Sequence, residues 1–207
     1  MFWSPQGEGL RAGQMSMFIR MSGCNMKCAM EAGPKSPGGF DCDTEFESGR
    51  RLVADEIVEE ANALIRAAGV TDTWRRENKA WVVLTGGEPA LQIDTTLVDT
   101  LHAHNFLIAV ETNGSIDLTG SGVDWIVCSP KVAEHAVRCK TADEIRYVRG
   151  HGQGIPKPAC EATHKWISPA FDGLSLDRRA LAWCVDLIKQ YPDWRLSVQQ
   201  HKWWGVR

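Results

Sequence analysis

Trp81-Val82-Val83-Leu84-Thr85-Gly86-Gly87-Glu88-Pro89 is the stretch that decides the fold. Four apolar residues in a row, stopped by a glycine pair, read as a strand buried on both faces, as in a parallel sheet. The pattern recurs. An apolar run over residues 106–110 ends in Glu111-Thr112-Asn113-Gly114, and one over 123–127 leads to Ser129-Pro130-Lys131. Weaker runs lie at 145–148 and 165–167, the second followed by Ser168-Pro169. Residues 194–198 predict a closing strand that leads into Gln199-Gln200-His201-Lys202, and residues 15–20 an early strand that finishes on Arg20. In a parallel sheet all these polar ends fall on one edge, where α/β proteins assemble their sites.

Helical spacing is confined to three places. Leu52, Val53, Ile57, Ala61, Leu64, Ile65 and Ala68 recur at helix period, with Gly69 as a stop; residues 95–104 form a second pattern. Residues 175–190 predict the last helix, with Asp177 near its start, while the polar stretch 71–79 and the Gly/Pro-rich stretch 150–158 predict loops. Six or seven strands with three helices do not fill a closed βα barrel, which needs roughly 250 residues. The expectation is an α/β chain of 207 residues forming a partial, open βα barrel with about six parallel strands. It reads as one domain, 1–207, with a loop insertion at about 29–41.

A net charge of −3 makes no electrostatic case for nucleic-acid binding. No run approaches the ~18 apolar residues of a membrane span. Met1-Phe2-Trp3-Ser4-Pro5 has neither the basic nor the apolar region of a signal peptide, so a cytoplasmic location is expected. Seven cysteines, an odd number, suit a reducing compartment and a metal site better than a disulfide framework. Cys24, Cys28 and Cys42 cluster near the N-terminus, whereas Cys128, Cys139, Cys160 and Cys184 are scattered.

Three thiolates on one loop can hold three corners of a cubane iron–sulfur cluster and leave one iron open to a ligand. A structural zinc site is the competing reading, although zinc wants a fourth ligand and no histidine lies within this loop. Gly86-Gly87 can be an ordinary βα turn or a place where backbone approaches a ligand closely. Glu111 at a strand end can be a solvated charge or a partner for ribose hydroxyls, and Lys131 a surface charge or a partner for a carboxylate. The nine tryptophans read as core or subunit-interface residues.

Taken together, the cysteine loop and the strand ends resemble a radical S-adenosylmethionine enzyme. The Cys24–Cys28 gap matches that family's signature, and the next gap is expanded to thirteen residues. A narrower resemblance is to the 7-carboxy-7-deazaguanine synthase family. It is carried by Gln6-Gly7-Glu8-Gly9, Phe18-Ile19-Arg20-Met21-Ser22-Gly23-Cys24-Asn25, Cys42-Asp43-Thr44, Thr85-Gly86-Gly87-Glu88-Pro89, Ser129-Pro130-Lys131 and Arg195-Leu196-Ser197-Val198-Gln199-Gln200-His201-Lys202.

That resemblance implies a lyase converting 6-carboxy-5,6,7,8-tetrahydropterin to 7-carboxy-7-deazaguanine, with loss of ammonia, on the route to queuosine. It implies a 4Fe–4S cluster on Cys24, Cys28 and Cys42, and Mg²⁺ at Thr44. Asp43, Gly86, Gly87, Glu111, Ser129, Pro130, Lys131 and Ser168 would contact S-adenosylmethionine. Gln6, Gly7, Glu8, Arg20, Thr85 and Arg207 would line the pterin, with Arg20 and Thr85 closest to the chemistry. A homodimer and an electron donor such as flavodoxin or ferredoxin are also implied. Two departures stand out: the family's Gln-Pro pair is here Ser168-Pro169, and its Gln-Thr-His-Lys is Gln199-Gln200-His201-Lys202. The alternatives are another radical S-adenosylmethionine enzyme, such as a glycyl-radical activase, and a non-catalytic zinc module.

Overall fold

The computed structural model describes residues 1–29, 41–42, 44–172 and 175–206. Among the described residues there are ten strands: β1 (Phe2–Pro5), β2 (Met15–Met21), β3 (Ala80–Gly86), β4 (Phe106–Thr112), β5 (Trp125–Cys128), β6 (Thr141–Arg149), β7 (Glu161–Pro169), β8 (Phe171–Asp172), β9 (Ser175–Leu176) and β10 (Arg195–Leu196). Five α-helices, again among the described residues, accompany them: α1 (Ala54–Ala67), α2 (Asp72–Glu77), α3 (Thr95–Ala103), α4 (Arg178–Gln190) and α5 (Gln200–Trp204). The main sheet has eight strands in the order β1-β2-β3-β4-β5-β6-β7-β10. β1 pairs antiparallel with β2, and every other neighbouring pair is parallel. β8 and β9 form a separate hairpin.

Eight strands spaced ~4.8 Å apart would put the two edges about 34 Å apart in a flat sheet. Instead, the segments leaving the two edge strands bond to each other. Gly9 N–H donates to Ser197 Oγ at 3.0 Å, and Gln200 N–H donates to the Gly7 carbonyl at 3.0 Å. Only a curled sheet brings its edges that close, and the edge strands themselves stay unpaired with each other, so the barrel is partial and open.

Pleating sorts the side chains between two faces. Met17, Ile19, Val82, Leu84, Ile108 and Val110 point to the helix side, where Val58, Ala61 and Ile65 of α1 and Leu97, Val98 and Leu101 of α3 complete one core. A second core under α4 gathers Ile145, Tyr147, Ile167, Cys184 and Leu187. The alternate positions, among them Arg20, Thr85, Glu111, Arg146 and Ser168, face the other way, into the curl. Loop 6–14, between β1 and β2, lies across that inner side.

The departures from the sequence pattern have local causes. Residues 71–79 hold helix α2 rather than a loop, because Thr71 Oγ1 accepts the Trp74 N–H as an N-cap. The guanidinium of Arg75 then docks on the carbonyls of His104 and Asn105. α2 buries no residue, so no apolar period could announce it. β6 begins at Thr141, earlier than the apolar run, since its polar residues serve neighbouring groups. Asp143 accepts the Ile126 N–H at 2.7 Å, and Glu144 accepts the Trp125 indole N–H at 2.8 Å. The helix expected from residue 175 starts at Arg178, with Asp177 accepting the N–H groups of Arg179 and Ala180; Ser175 and Leu176 form β9 instead. It is not the last helix, since α5 follows β10. β10 is two residues rather than five, because the chain leaves the sheet at Ser197 to meet the loop after β1.

Candidate active site

A cavity of about 470 Å³ opens at the carboxyl ends of the parallel strands, a size typical of small-molecule sites. Gln6, Gly7, Glu8, Arg20, Thr44, Thr85 and Glu111 all line it. The parallel register sets Arg20 beside Thr85, so their side chains leave the sheet on the same face. The Arg20 guanidinium lies 5.3 Å from the centre of the Phe2 ring, and stacking on an aromatic face leaves its fork free to meet a carboxylate. Phe2, Phe18, Gln199, His201 and Lys202 complete the wall. Gly7 has no side chain because a Cβ there would enter the His201 ring.

The back of the cavity is a buried charge network. Arg146 Nη1 sits 3.3 Å from Glu8 and 3.2 Å from Glu111, and Nη2 is 4.0 Å from Glu144. Gln6 Nε2 donates to the other Glu111 oxygen at 3.1 Å, while Gln6 Oε1 accepts the N–H groups of Gly7 and Glu8. Leu10 N–H donates to Glu144. Burial pushes the Glu111 carboxyl up, against the pull of Arg146. Burial would lower Arg146, but Glu111, Glu8 and Glu144 outweigh it and hold the guanidinium charged. Ser168 Oγ reaches Glu8 at 3.4 Å, so this departure from the family's glutamine still joins the network.

Arg146 and Glu144 were not expected from sequence. The available signal was a charged pair at alternate positions in a strand whose other alternate residues, Ile145 and Tyr147, are core.

A second group of residues holds the cysteine loop. A Cβ on Gly87 would collide with the Gly23 carbonyl, and one on Gly86 with the Met21 backbone. That space is taken by two backbone bonds, Gly87 N–H to Met21 O at 2.9 Å and Glu88 N–H to Gly23 O at 3.0 Å. Glu88 is wholly buried and accepts from Thr112 Oγ1 at 2.7 Å, Asn113 N–H at 2.6 Å and Ala90 N–H at 3.0 Å. Asn113 in turn places its amide 3.0 Å from Asn25 Oδ1 and 4.0 Å from Cys24 Sγ. Ser129 and Lys131 bond through their N–H groups to the carbonyls of Thr112 and Asn113, which brings Ser129-Pro130-Lys131 beside the same loop. Asp43, Arg207 and residues 30–40 of the expected insertion lie outside the described residues.

The loop thiols fit an iron–sulfur cluster. Cys24 and Cys28 are half-buried and Cys42 is exposed, all outside the apolar cores, and Cys24 Sγ accepts the Met26 N–H at 3.4 Å. Backbone donors to cysteine sulfur are a common means of stabilising a cluster. Thr44 supplies a hydroxyl at the cavity wall, an oxygen donor of the type Mg²⁺ prefers. Among the described residues, the sulfurs close enough to share a single ion are not these but Cys128, Cys139 and Cys160.

No family model matches the chain. It is 36% identical over 219 residues to the 7-carboxy-7-deazaguanine synthase of Bradyrhizobium diazoefficiens, covering all of this chain and 96% of that protein. It is 37% identical over 207 residues to the enzyme of the same name from Bacteroides thetaiotaomicron, with the same coverage. The crystal structure of QueE from Escherichia coli shares the fold with a TM-score of 0.58 at 24% identity, over 96% of this chain and 91% of that one. With this open sheet, this cavity and full-length relatives above 30% identity, the chain belongs to the 7-carboxy-7-deazaguanine synthase family.

Proposed function

We infer that the two halves of the site divide the work of a radical S-adenosylmethionine lyase. The family's enzymes use a 4Fe–4S cluster, S-adenosylmethionine and Mg²⁺ to make 7-carboxy-7-deazaguanine from 6-carboxy-5,6,7,8-tetrahydropterin in queuosine biosynthesis, and this chain is such an enzyme. When bound, the cluster supplies the electron that cleaves the cosubstrate and starts the radical reaction.

The observation that carries the residue assignment is the placement of Gln6, Glu8, Arg20, Thr44 and Thr85 around one cavity. Cys24, Cys28 and Cys42 would hold the cluster, with Asn113 and Gly87 fixing the loop. Gly86, Ser129, Pro130 and Lys131 stand next to that loop and, with Asp43 and Ser168, would flank S-adenosylmethionine. Glu111 stands between Gln6 and Arg146, and would contact the cosubstrate beside the pterin-lining residues.

Arg20 would clamp the pterin carboxylate, since a planar guanidinium donates to both carboxylate oxygens at once. Thr44 would give Mg²⁺ an oxygen ligand, and Thr85, Gln6, Gly7 and Arg207 would line the pterin. Loop 6–14 and the 199–202 segment form part of the cavity wall on the inner side of the curl. These residues act by positioning, holding the reacting carbon and the cosubstrate in one orientation.

Trp203 and Trp204 are 56% and 42% exposed beside the cavity rim residues His201 and Lys202, a surface suited to a homodimer contact. A flavodoxin or ferredoxin donor and a cytoplasmic location complete the proposal. Among the described residues, no helix is long and apolar enough to cross a membrane.

The test is turnover. Anaerobically reconstituted protein, given the carboxytetrahydropterin, S-adenosylmethionine, Mg²⁺ and a reductant, is expected to release 7-carboxy-7-deazaguanine. Cleavage of the cosubstrate without any deazaguanine would reject the substrate assignment and favour a different radical enzyme.

A further inference from the structure

The cysteines that look scattered in sequence converge in space. Cys128 closes β5, Cys139 lies on the segment entering β6, and Cys160 immediately precedes β7. All three are buried, and their sulfurs lie within 4.8 Å of one another, with Cys139 and Cys160 at 4.0 Å. They sit in the core under α4, on the helix side of the sheet and away from the inner face that carries the cavity.

The surrounding backbone is tight. The N–H groups of Arg138 and Cys139 both donate to the Gly114 carbonyl, and a Cβ on Gly114 would approach Cys128 Sγ to 2.9 Å. Lys140 folds back to donate to the Val137 carbonyl, placing a positive charge next to the trio.

A buried cysteine often serves as a small apolar side chain. Such a role gives no reason for three sulfurs from three separate segments to meet. A metal ion does. Zn–S bonds of ~2.3 Å in a tetrahedral site imply sulfurs about 3.8 Å apart, close to the Cys139–Cys160 separation. A disulfide would need that pair to close to ~2.05 Å. Thiolate sets select soft ions such as Zn²⁺ and Cu⁺.

We propose that Cys128, Cys139 and Cys160 form a three-thiolate site for one thiophilic d¹⁰ ion, Zn²⁺ or Cu⁺, distinct from the cluster loop. Binding is ligand exchange: three thiol protons leave, three sulfur–metal bonds form, and no electron moves. Lys140 offsets part of the negative charge of the thiolates. The ion pins the end of β5, from which Ser129-Pro130-Lys131 continue, to the starts of β6 and β7.

The test separates the two cysteine sets. A Cys24→Ala/Cys28→Ala/Cys42→Ala variant, which cannot hold the cluster on its loop, is dialysed against Zn²⁺ or Cu⁺ under reducing conditions and then freed of loose metal. Elemental analysis is expected to find one zinc or copper per chain, and Co²⁺ substitution a thiolate-to-cobalt charge-transfer band. The reconstituted wild-type enzyme should carry the same ion in addition to cluster iron. Adding Cys139→Ser and Cys160→Ser should abolish both signals; if that variant does not fold, the cluster-free variant alone decides. No retained zinc or copper above background there, or a Cys139–Cys160 disulfide in the purified wild-type protein, would overturn the proposal.

Discussion

Arg146 and Glu111 meet at 3.2 Å inside the curl of the sheet, and the same guanidinium nitrogen lies 3.3 Å from Glu8. One cation therefore serves two carboxylates from β4 and loop 6–14, with Glu144 behind. Removing it by Arg146→Leu takes away the ion-pair partner of these buried acids and leaves Arg11, whose charge also acts on Glu111 and Glu144, as a remaining cation. Breaking such a buried pair costs about 3–5 kcal/mol, which is a large share of a domain's stability. Urea unfolding of the apo protein should show that loss, and Arg146→Lys should recover only part of it, because an ammonium cannot copy the planar fork. A midpoint within error of wild type for Arg146→Leu would show that the network is not structural.

Arg20 makes a different prediction, because it lines the cavity and the carboxylate on which its charge acts, Glu45, is exposed. Arg20→Ala should leave folding and iron content unchanged and raise KM for the carboxytetrahydropterin. A charge-assisted hydrogen bond is worth about 1.5–3 kcal/mol, a roughly ten- to hundredfold effect. Steady-state kinetics at saturating S-adenosylmethionine measure it. An unchanged KM would remove Arg20 from the substrate clamp.

Gly87 is required for steric reasons, since its φ is not in the left-handed region and the Gly23 carbonyl and Cys24 Cβ stand in the way of a side chain. Gly87→Ala should push the cysteine loop off the β3 end, at a cost of about 1–3 kcal/mol typical of overpacking. The expected readout is fewer irons per chain after reconstitution. Gly154→Ala, where a Cβ meets open space, is the control. Equal iron content in the two variants would contradict the role of Gly87 in holding the loop.

The curled parallel sheet was legible because β3 and β4 are continuous apolar runs that stop at glycine or polar clusters. Arg20 and Thr85 were legible through motifs at strand ends, and Gln6 through the Gln6-Gly7-Glu8-Gly9 segment that carries the family resemblance. What escaped the sequence depends on long-range partners. α2 is held by a cap and by Arg75 rather than by an apolar stripe. The polar start of β6 reads as loop until Asp143 and Glu144 are seen to accept bonds from β5. Arg146 has meaning only once loop 6–14 has brought Glu8 to it, and Cys128, Cys139 and Cys160 look unrelated until three segments converge on one core. Gly86 and Gly87 were noticed for the right geometry, but the backbone they admit is that of the cysteine loop.

Glu88 supplies a prediction with a defined pH sign. Burial raises its carboxyl above the ordinary value, against hydrogen bonds from Asn113, Thr112 and Ala90. The folded chain thus keeps this proton to higher pH than the unfolded chain does. Between the two values the unfolded state binds fewer protons, so stability falls as pH rises from the ordinary glutamate range through the raised folded value. Glu88→Gln cannot ionise and should lose that part of the slope. It also turns an amide NH₂ toward donors that need an acceptor, which costs about 1–3 kcal/mol at any pH. Urea midpoints from pH 4.5 to 7 should therefore show the wild-type advantage over Glu88→Gln shrinking as pH rises. An advantage that grows with pH would mean that the Glu88 carboxylate is stabilised, not penalised, by its site. In that case the three donors around it outweigh its burial.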